Sequence, residues 1–439
     1  MDDSLLFELP PRASDQTQEA RGGRRRLRTA VRDQIAFQSC SLNDLLPEDH
    51  QARLVWRYVE GLDLTPLIER IQAVESGPGQ APADPRILLA LWLYATLRGI
   101  GSARELNRRC TSDVAFKWIC GGVSMNYHTL ADFRTAHVEF LDRLLTQSVA
   151  VLLAEDLVTL DRVAQDGVKV RASAGASSFR RKTRLEQCHD EAAAQIEALR
   201  TELESDQAAA SARQKAARLR AAEEREERLR RALEQLPQVE AGKKKSERDK
   251  ARVSTTDPDA RVMKMADGGF RPAYNVQIAS STQGQVIVGL SVTNSGGDQG
   301  QLAPMADQIE QRHGQRPAEM LADGGFVKKE DIDRLQPPRG GTKVFAPVMP
   351  SKDPGREAHT PREDDSSAVA EWRTRMATAE AKEIYKQRAS TAECVNAQAR
   401  NRGLRQFVVR GLEKIRAVML WFALAHNLIR TLALRAAIT

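Results

Sequence analysis

Hydrophobic and polar positions change their period along this chain, and each change predicts a different kind of element. From about 40 to 150 the apolar residues recur at helical spacing. "PRILLALWLYATLRG" opens with Pro85, suited to a first helical turn, and stops at Gly99. Ser102 and Glu105 have capping-box spacing for the next helix, and Thr129 and Asp132 are placed to cap another. Between 185 and 236 there is no glycine or proline, and leucines recur at three- to four-residue steps among Glu, Arg, Gln and Ala. That stretch reads as one long charged helix, or a helical hairpin, ended by Pro237. As a single helix it would run roughly 75 Å, so a hairpin is easier to fit into a folded protein.

Period-two runs appear between 160 and 326. "DRVAQD" (161–166) reads as a short strand ending in an acid. "AYNVQIASS" (273–281) and "GQVIVGLSVTN" (284–294) are β-rich runs joined by a turn, which predicts a hairpin. Residues 301–314 predict an amphipathic helix ended by Gly314, and 318–326 a short strand entering a glycine turn. The order is strand, helical insertion at about 185–250, hairpin, helix, strand. A polar stretch (350–368) precedes helices over 369–435, in which "AVMLWFALA" is too short to span a bilayer and reads as buried.

Composition narrows the class. The chain has 439 residues, 41% hydrophobic and 28% charged, which suits a soluble globular protein of two or three domains. A formal charge of +7 is compatible with a polyanionic partner. Residues 21–32 hold six arginines and no acid, so 1–38 reads as a flexible arm whose Arg24, Arg25 and Arg26 can track a DNA backbone or enter a minor groove. The helical segment, 39–150, carries Arg98, Arg104, Arg108, Arg109 and Arg134, which suits a helix-turn-helix-like bundle that touches DNA. A plain helical scaffold fits the same pattern. Five scattered cysteines without CxxC spacing speak against disulfides and zinc and favour a reducing cytoplasm. The first residues lack the apolar core of a secretory signal.

The candidate chemistry begins with a repeated phrase. "ADGGF" occurs around Asp267 and again around Asp323. In a strand–hairpin–helix–strand unit the first and last strands lie side by side, joined by a right-handed crossover. Asp166 and Asp323 end those strands, whereas Asp267 precedes the hairpin, so Asp323 is the chemical candidate and Asp267 a turn former. A third acid is expected from a covering helix, and Glu393 is the best placed, with Tyr385 and Arg388 before it and Arg400 two turns beyond. Three carboxylates suit two-metal phosphoryl transfer, in which hard oxygen ligands hold Mg²⁺, and the arginines can clamp phosphate oxygens. On spacing alone the three acids also fit ordinary turn and surface roles.

Residue context adds to this. "QDGVKVRASAG", "PAYNVQIASS", "LADGGF", "YKQRASTAE" and "RGLEKIRAVMLWFALAHNLIR" together resemble DDE transposases of bacterial insertion sequences, in the branch with a Tyr-Arg-Glu-Lys signature. "DPRILLALWLYATLRGIGSARELNRRC" is similar to the helical DNA-binding domain that precedes the catalytic domain there. The resemblance covers roughly 35–435 and keeps the motif order. It implies a mixed α/β fold with a ribonuclease-H-like domain over about 155–435. Asp166, Asp323 and Glu393 match the catalytic, metal-binding acids, and Tyr385 and Arg388 match the signature. It further implies two Mg²⁺ ions, with Mn²⁺ as a substitute, and double-stranded DNA as partner, both element ends and target. A homodimer or larger assembly on DNA, associated with the bacterial nucleoid, is also implied. Four departures stand out. Arg400 replaces the signature lysine, Asn396 stands where an aromatic residue is common and Phe326 where tyrosine is common, and the Arg-to-Glu gap is one residue longer than in the shorter signature.

Other readings stay open beside the transposase. A ribonuclease-H-like nuclease without strand transfer needs the same acids, and a non-catalytic DNA-binding descendant needs none of them. His426 reads as a packing residue in an apolar helix. "SGGDQGQ" reads as a turn before a helix, with Asp298 or Gln299 near its N-cap.

Overall fold

The computed structural model describes residues 39–73, 81–205, 209–336, 341–350 and 357–437, and Leu42–Thr439 forms one packed unit. The Arg-rich arm, with Arg24, Arg25 and Arg26, lies outside the described residues.

Seven helices come first: α1 (Gln51–Glu60), α2 (Thr65–Ile68), α3 (Pro85–Leu97), α4 (Ala103–Ser112), α5 (Val114–Cys120), α6 (Tyr127–Ala136) and α7 (Val138–Ala154). Their starts follow from side chains that satisfy first-turn amides. Asp84 accepts from Arg86 N (2.8 Å), Ser102 from Glu105 N (3.4 Å) and Asp113 from Ala115 N (2.9 Å). The start of α6 differs from expectation. Asn126 has extended backbone and caps the helix through His128 N (2.9 Å), so Thr129 and Asp132 already lie inside it.

Next come β1 (Arg162–Arg171), β2 (Phe179–Arg180), the long pair α8 (Lys182–Ser205) and α9 (Ala209–Ala241), β3 (Val253–Ser254), β4 (Arg261–Lys264), β5 (Phe270–Ser281) and β6 (Ile287–Thr293). They are followed by α10 (Leu302–His313), β7 (Glu319–Leu321), α11 (Lys329–Leu335), β8 (Lys343–Phe345), α12 (Ser367–Ala377), α13 (Ala379–Arg388), a π turn (Ala389–Glu393), α14 (Cys394–Asn401) and α15 (Leu412–Ala436). The main sheet runs β4–β5–β1–β7–β8, with β6 also beside β5. β5 is antiparallel to β1, and β7 is parallel to both β1 and β8.

β1 does not stop at Asp166. Val168 and Val170 continue the buried alternation, paired with Val276 and Tyr274, and carry the strand five residues further to Arg171. The charged stretch folds back on itself. Leu185 and Ala192 of α8 pack with Leu229 and Leu236 of α9, while His189 meets Glu226 (2.9 Å) and Arg200 meets Glu223 (3.3 Å). α9 runs through Pro237 to Ala241 rather than ending there. Proline costs the last turn one hydrogen bond, and the packing of Leu236 and Val239 keeps that turn in place.

α15 ties the helices to the sheet. It is long and apolar enough to cross a membrane, yet its apolar side chains are buried against α3, α6, α7 and β6. Asp257 accepts from Gly411 N (3.1 Å) and Asp259 from Leu412 N (3.0 Å), so two carboxylates meet the helix N-terminus, where the dipole favours them. Trp421 Nε1 donates to Arg134 O (2.9 Å). Asn427 grips Ile287 by both N–H and C=O at 2.8 Å, and the His426 ring meets Gln285 O at 2.8 Å, the packing role expected of it. Arg134 is buried, bonded to Gly101 O and lying 4.8 Å over the Trp92 ring, so it does not face DNA.

Candidate active site

The parallel register sets Ala164 of β1 beside Leu321 of β7. Two residues further along each strand stand Asp166 and Asp323. Side chains alternate along extended backbone, so the two acids emerge on one face. Arg162 reinforces this register by pairing with Glu319 at 2.6 Å. Asp323 accepts from Gly325 N (3.3 Å) and caps the short turn Gly324–Phe326. Asp267 makes the same local bond, to Gly269 N (3.1 Å), but it is exposed in the β4–β5 turn at the sheet's edge and pairs with Arg271 (2.7 Å). One local motif therefore has two addresses.

Glu393 arrives by a different route. α13 and α14 are joined without a break by the π turn, which Glu393 closes. In a regular α-helix, residues five apart are turned roughly 140° from one another. The wider turn brings position 393 back over position 388, and Arg388 Nη2 donates to Glu393 Oε1 at 2.6 Å. The longer Arg-to-Glu gap is thus absorbed by the π turn, a device that recurs at functional sites. This helix is pinned to the sheet by Arg162 Nη1 on Gln387 Oε1 (2.9 Å) and by Gln285 Nε2 on Ser390 O (2.7 Å).

Arg388 is the junction. Besides Glu393 it approaches Asp166, with Nη1 3.7 Å from Oδ1, and it lies 5.8 Å from the Tyr385 ring centre. Its side chain is 14% exposed and that of Asp166 21%, whereas Glu393 at 54% opens to solvent. Burial pushes the Asp166 carboxyl above the ordinary carboxylate range, opposed by Arg388, the Asn396 amide (2.8 Å) and Gly167 N–H (3.0 Å). Burial disfavours the Arg388 cation, yet Tyr385, Asp166 and Glu393 together raise its pKa. The Tyr385 hydroxyl is pushed up by burial, lowered by Arg388, and pushed up again by Asp323 and Glu393. The charges of Asp323 and Glu393 thus both reach Tyr385.

Other expected residues lie elsewhere. Arg400 is exposed on α14, and no ion pair links it to the three acids among the described residues. On α4, Arg104 stacks 5.2 Å over Tyr127, Arg108 pairs with Glu105, and Arg109 pairs with Glu105 (2.8 Å) and Asp113 (3.9 Å). Asp298 is not a helix cap. α10 is preceded by Gln301, and Asp298 Oδ1 instead accepts from Asn275 Nδ2 and Gln277 Nε2, both at 2.7 Å. A side chain at Gly167 would overlap that carboxylate, so the glycine makes room for it. The same loop reaches the turn after Asp323 through Gln299 Nε2 on Val327 O (3.0 Å). Neither Asp298 nor Asn396 carries a spacing signal that marks it beforehand.

Among the described residues, no three metal-ligating side chains are gathered tightly enough to form a ready-made chelate. The donors still suit a hard divalent cation, being carboxylate oxygens without sulfur or imidazole. Arg388 sets positive charge between Asp166 and Glu393, as the mutual repulsion of such acids requires.

Two family models match the chain. A transposase domain (DUF772) covers residues 40–136, through the end of α6, and a transposase DDE domain covers residues 350–432, which include Tyr385, Arg388 and Glu393. No curated protein and no solved structure matches. The class is that of metal-dependent enzymes that cut DNA. Together the two matches support a DDE transposase of the insertion-sequence kind.

Proposed function

We propose that this transposase nicks the ends of its own element and joins the freed 3′-OH to target DNA, with Asp166, Asp323 and Glu393 as its catalytic acids. The observation that carries this reading is the double engagement of Arg388 by Asp166 and Glu393, beside the strand β7, which leads two residues further to Asp323. The strand order supports a ribonuclease-H-like catalytic domain over about 155–435, because a central β1 has an antiparallel hairpin on one side and two parallel strands on the other.

Asp166, Asp323 and Glu393 would hold two Mg²⁺ ions, or Mn²⁺ in their place, and the ions would supply Lewis acidity to the reacting phosphodiester. Tyr385 and Arg388 border the acids and hold phosphate oxygens, Arg388 through its planar fork. Water attacks the phosphorus and the P–O3′ bond breaks. The 3′-OH so released attacks a target phosphodiester, joining to its phosphorus as the target's own P–O3′ bond breaks and its O3′ leaves as a 3′-OH. Arg400, Arg104, Arg108 and Arg109, with Arg24, Arg25 and Arg26 of the arm, contact the duplex outside the cut. Two or more subunits hold paired ends, in a bacterial cytoplasm where the nucleoid is the substrate.

The test is cleavage of a duplex carrying the element's end, with Mg²⁺, by the parent chain and by Asp323→Asn and Asp267→Asn. Loss of cutting in the first alone supports the assignment. Cutting by Asp323→Asn removes Asp323 from the triad.

A further inference from the structure

The helical pair α8–α9 has no part in the chemistry above, yet its base helps to build a strongly basic recess. Arg180 of β2, Arg184 of α8, Arg225 and Arg228 of α9, and Arg410 just before α15 line one cavity of about 450 Å³. Five guanidinium groups from four separate segments converge there. Among the described residues, carboxylates answer two of them, Glu191 at 3.0 Å from Arg184 and Glu224 at 3.8 Å from Arg228. Arg225 leans on the neutral Gln195 (3.2 Å) and Arg410 on Ser173 O (3.1 Å). Burial and the neighbouring Arg410 and Arg225 charges depress the Arg228 pKa, while Glu224 only partly offsets them. Like charges held this close destabilise one another unless an anion joins them, and guanidinium forks match phosphate oxygens.

We infer that this arginine recess is a binding site for the phosphate backbone of double-stranded DNA, contributed by the inserted helical pair. The inference rests on DNA being the substrate. Three observations favour a long polyanion over a small one. Further basic residues lie close in sequence to the segments that line it, with exposed Arg181 and Lys182 at the start of α8 and exposed Lys244 and Lys245 after α9. Its cations come from distant parts of the chain, from β2 and α8 to α9 and the segment before α15. Arg410 is also anchored just past the end of β1, the strand that carries Asp166. Arg171, at the end of β1, lies five positions beyond Asp166, roughly 17 Å along the strand and about the rise of five base pairs. One duplex can therefore occupy both places, cut at the acids and gripped at the arginines.

The experiment measures binding of a short mixed-sequence duplex by fluorescence anisotropy across a salt series. It uses the full chain, Arg225→Ala/Arg228→Ala and Arg225→Lys/Arg228→Lys, with thermal unfolding of each. The alanine pair should weaken binding about tenfold and lower the log–log salt slope by about two, because each phosphate contact contributes roughly one counterion. The lysine pair should keep most of the slope, since it keeps the charge. The Tm of the alanine pair should hold or rise, because crowded cations have been removed. An unchanged affinity and slope in the alanine pair overturns the site while leaving the transposase reading intact. A fall in Tm that accounts for the lost binding also overturns it, since the arginines would then be supports of the fold. A parent chain that binds no duplex sinks both readings.

Discussion

Asn396 Nδ2 donates to Asp166 Oδ2 at 2.8 Å, joining positions 230 residues apart in the chain. The asparagine stands where the family resemblance leads one to expect an aromatic ring, and the structure gives it a use. Asp166 is largely buried, and its ionised form needs donors. Asn396→Leu removes one of them, and losing a hydrogen bond to a buried charge costs about 1.5–3 kcal/mol. Single-turnover cleavage should slow at least about tenfold, and Asn396→Asp, which sets like charges together, should slow it more. A leucine variant that cuts at the parent rate would show that the bond does not matter.

Gly167 is the second sensitive position. An added methyl would overlap Asp298 Oδ1 and come within 2.7 Å of Gln277 Nε2. Gly167→Ala should therefore cost about 1–3 kcal/mol by overpacking, read as a lower denaturant midpoint. Combining it with Asp298→Ala removes the overlap, and much of the stability should return. If the single variant is as stable as the parent, the close approach is not real.

Metal should report on the acids without any cleavage. A ligand that binds only the folded chain raises Tm by mass action. Mg²⁺ should raise the Tm of the parent and of Asp267→Asn, and should leave that of Asp323→Asn nearly unmoved. Equal shifts in all three would place the ion elsewhere.

Acid should weaken the fold through His426. Burial lowers its pKa from 6.5 to about 4, so the folded chain keeps the ring neutral where the unfolded chain protonates it. That stability is fully present above about pH 6.5 and is lost as pH falls towards about 4, roughly 3 kcal/mol in all. His137 and His313 are also depressed and act with the same sign. Unfolding of His426→Gln against pH should thus show a shallower acid slope than the parent. Parallel slopes would clear His426 of the effect.

Much of this architecture is legible in the chain. Alternation in 273–281 and 284–294 marks the β5–β6 hairpin, and Gly314 marks the end of α10, because period and turn chemistry are local. The pairing of β1, which carries Asp166, with β7, which leads to Asp323, follows from strand order, which needs only the succession of elements. What escapes notice is nonlocal or very short. β8 has three residues and shows no period, and α11 hides in a polar stretch. The π turn at 389–393 is dictated by how α13 and α14 dock on β1, not by helix propensity. The Asp298 contacts depend on a loop meeting β5 from the far side of a glycine. Arg134 looks like its exposed neighbours in sequence, and only tertiary packing makes it a core residue.

α15 has a genetic consequence. Its side chains complete one continuous core with α3, α6 and α7 while its Asn427 and His426 hold the β5–β6 end of the sheet. A frameshift or stop codon anywhere upstream of Leu412 therefore strips the partner surface from the first helices as well as from the catalytic sheet. Such a truncated chain would leave the apolar faces of α3, α6 and α7 uncovered. Damage confined to the last helix would thus be felt in the first ones.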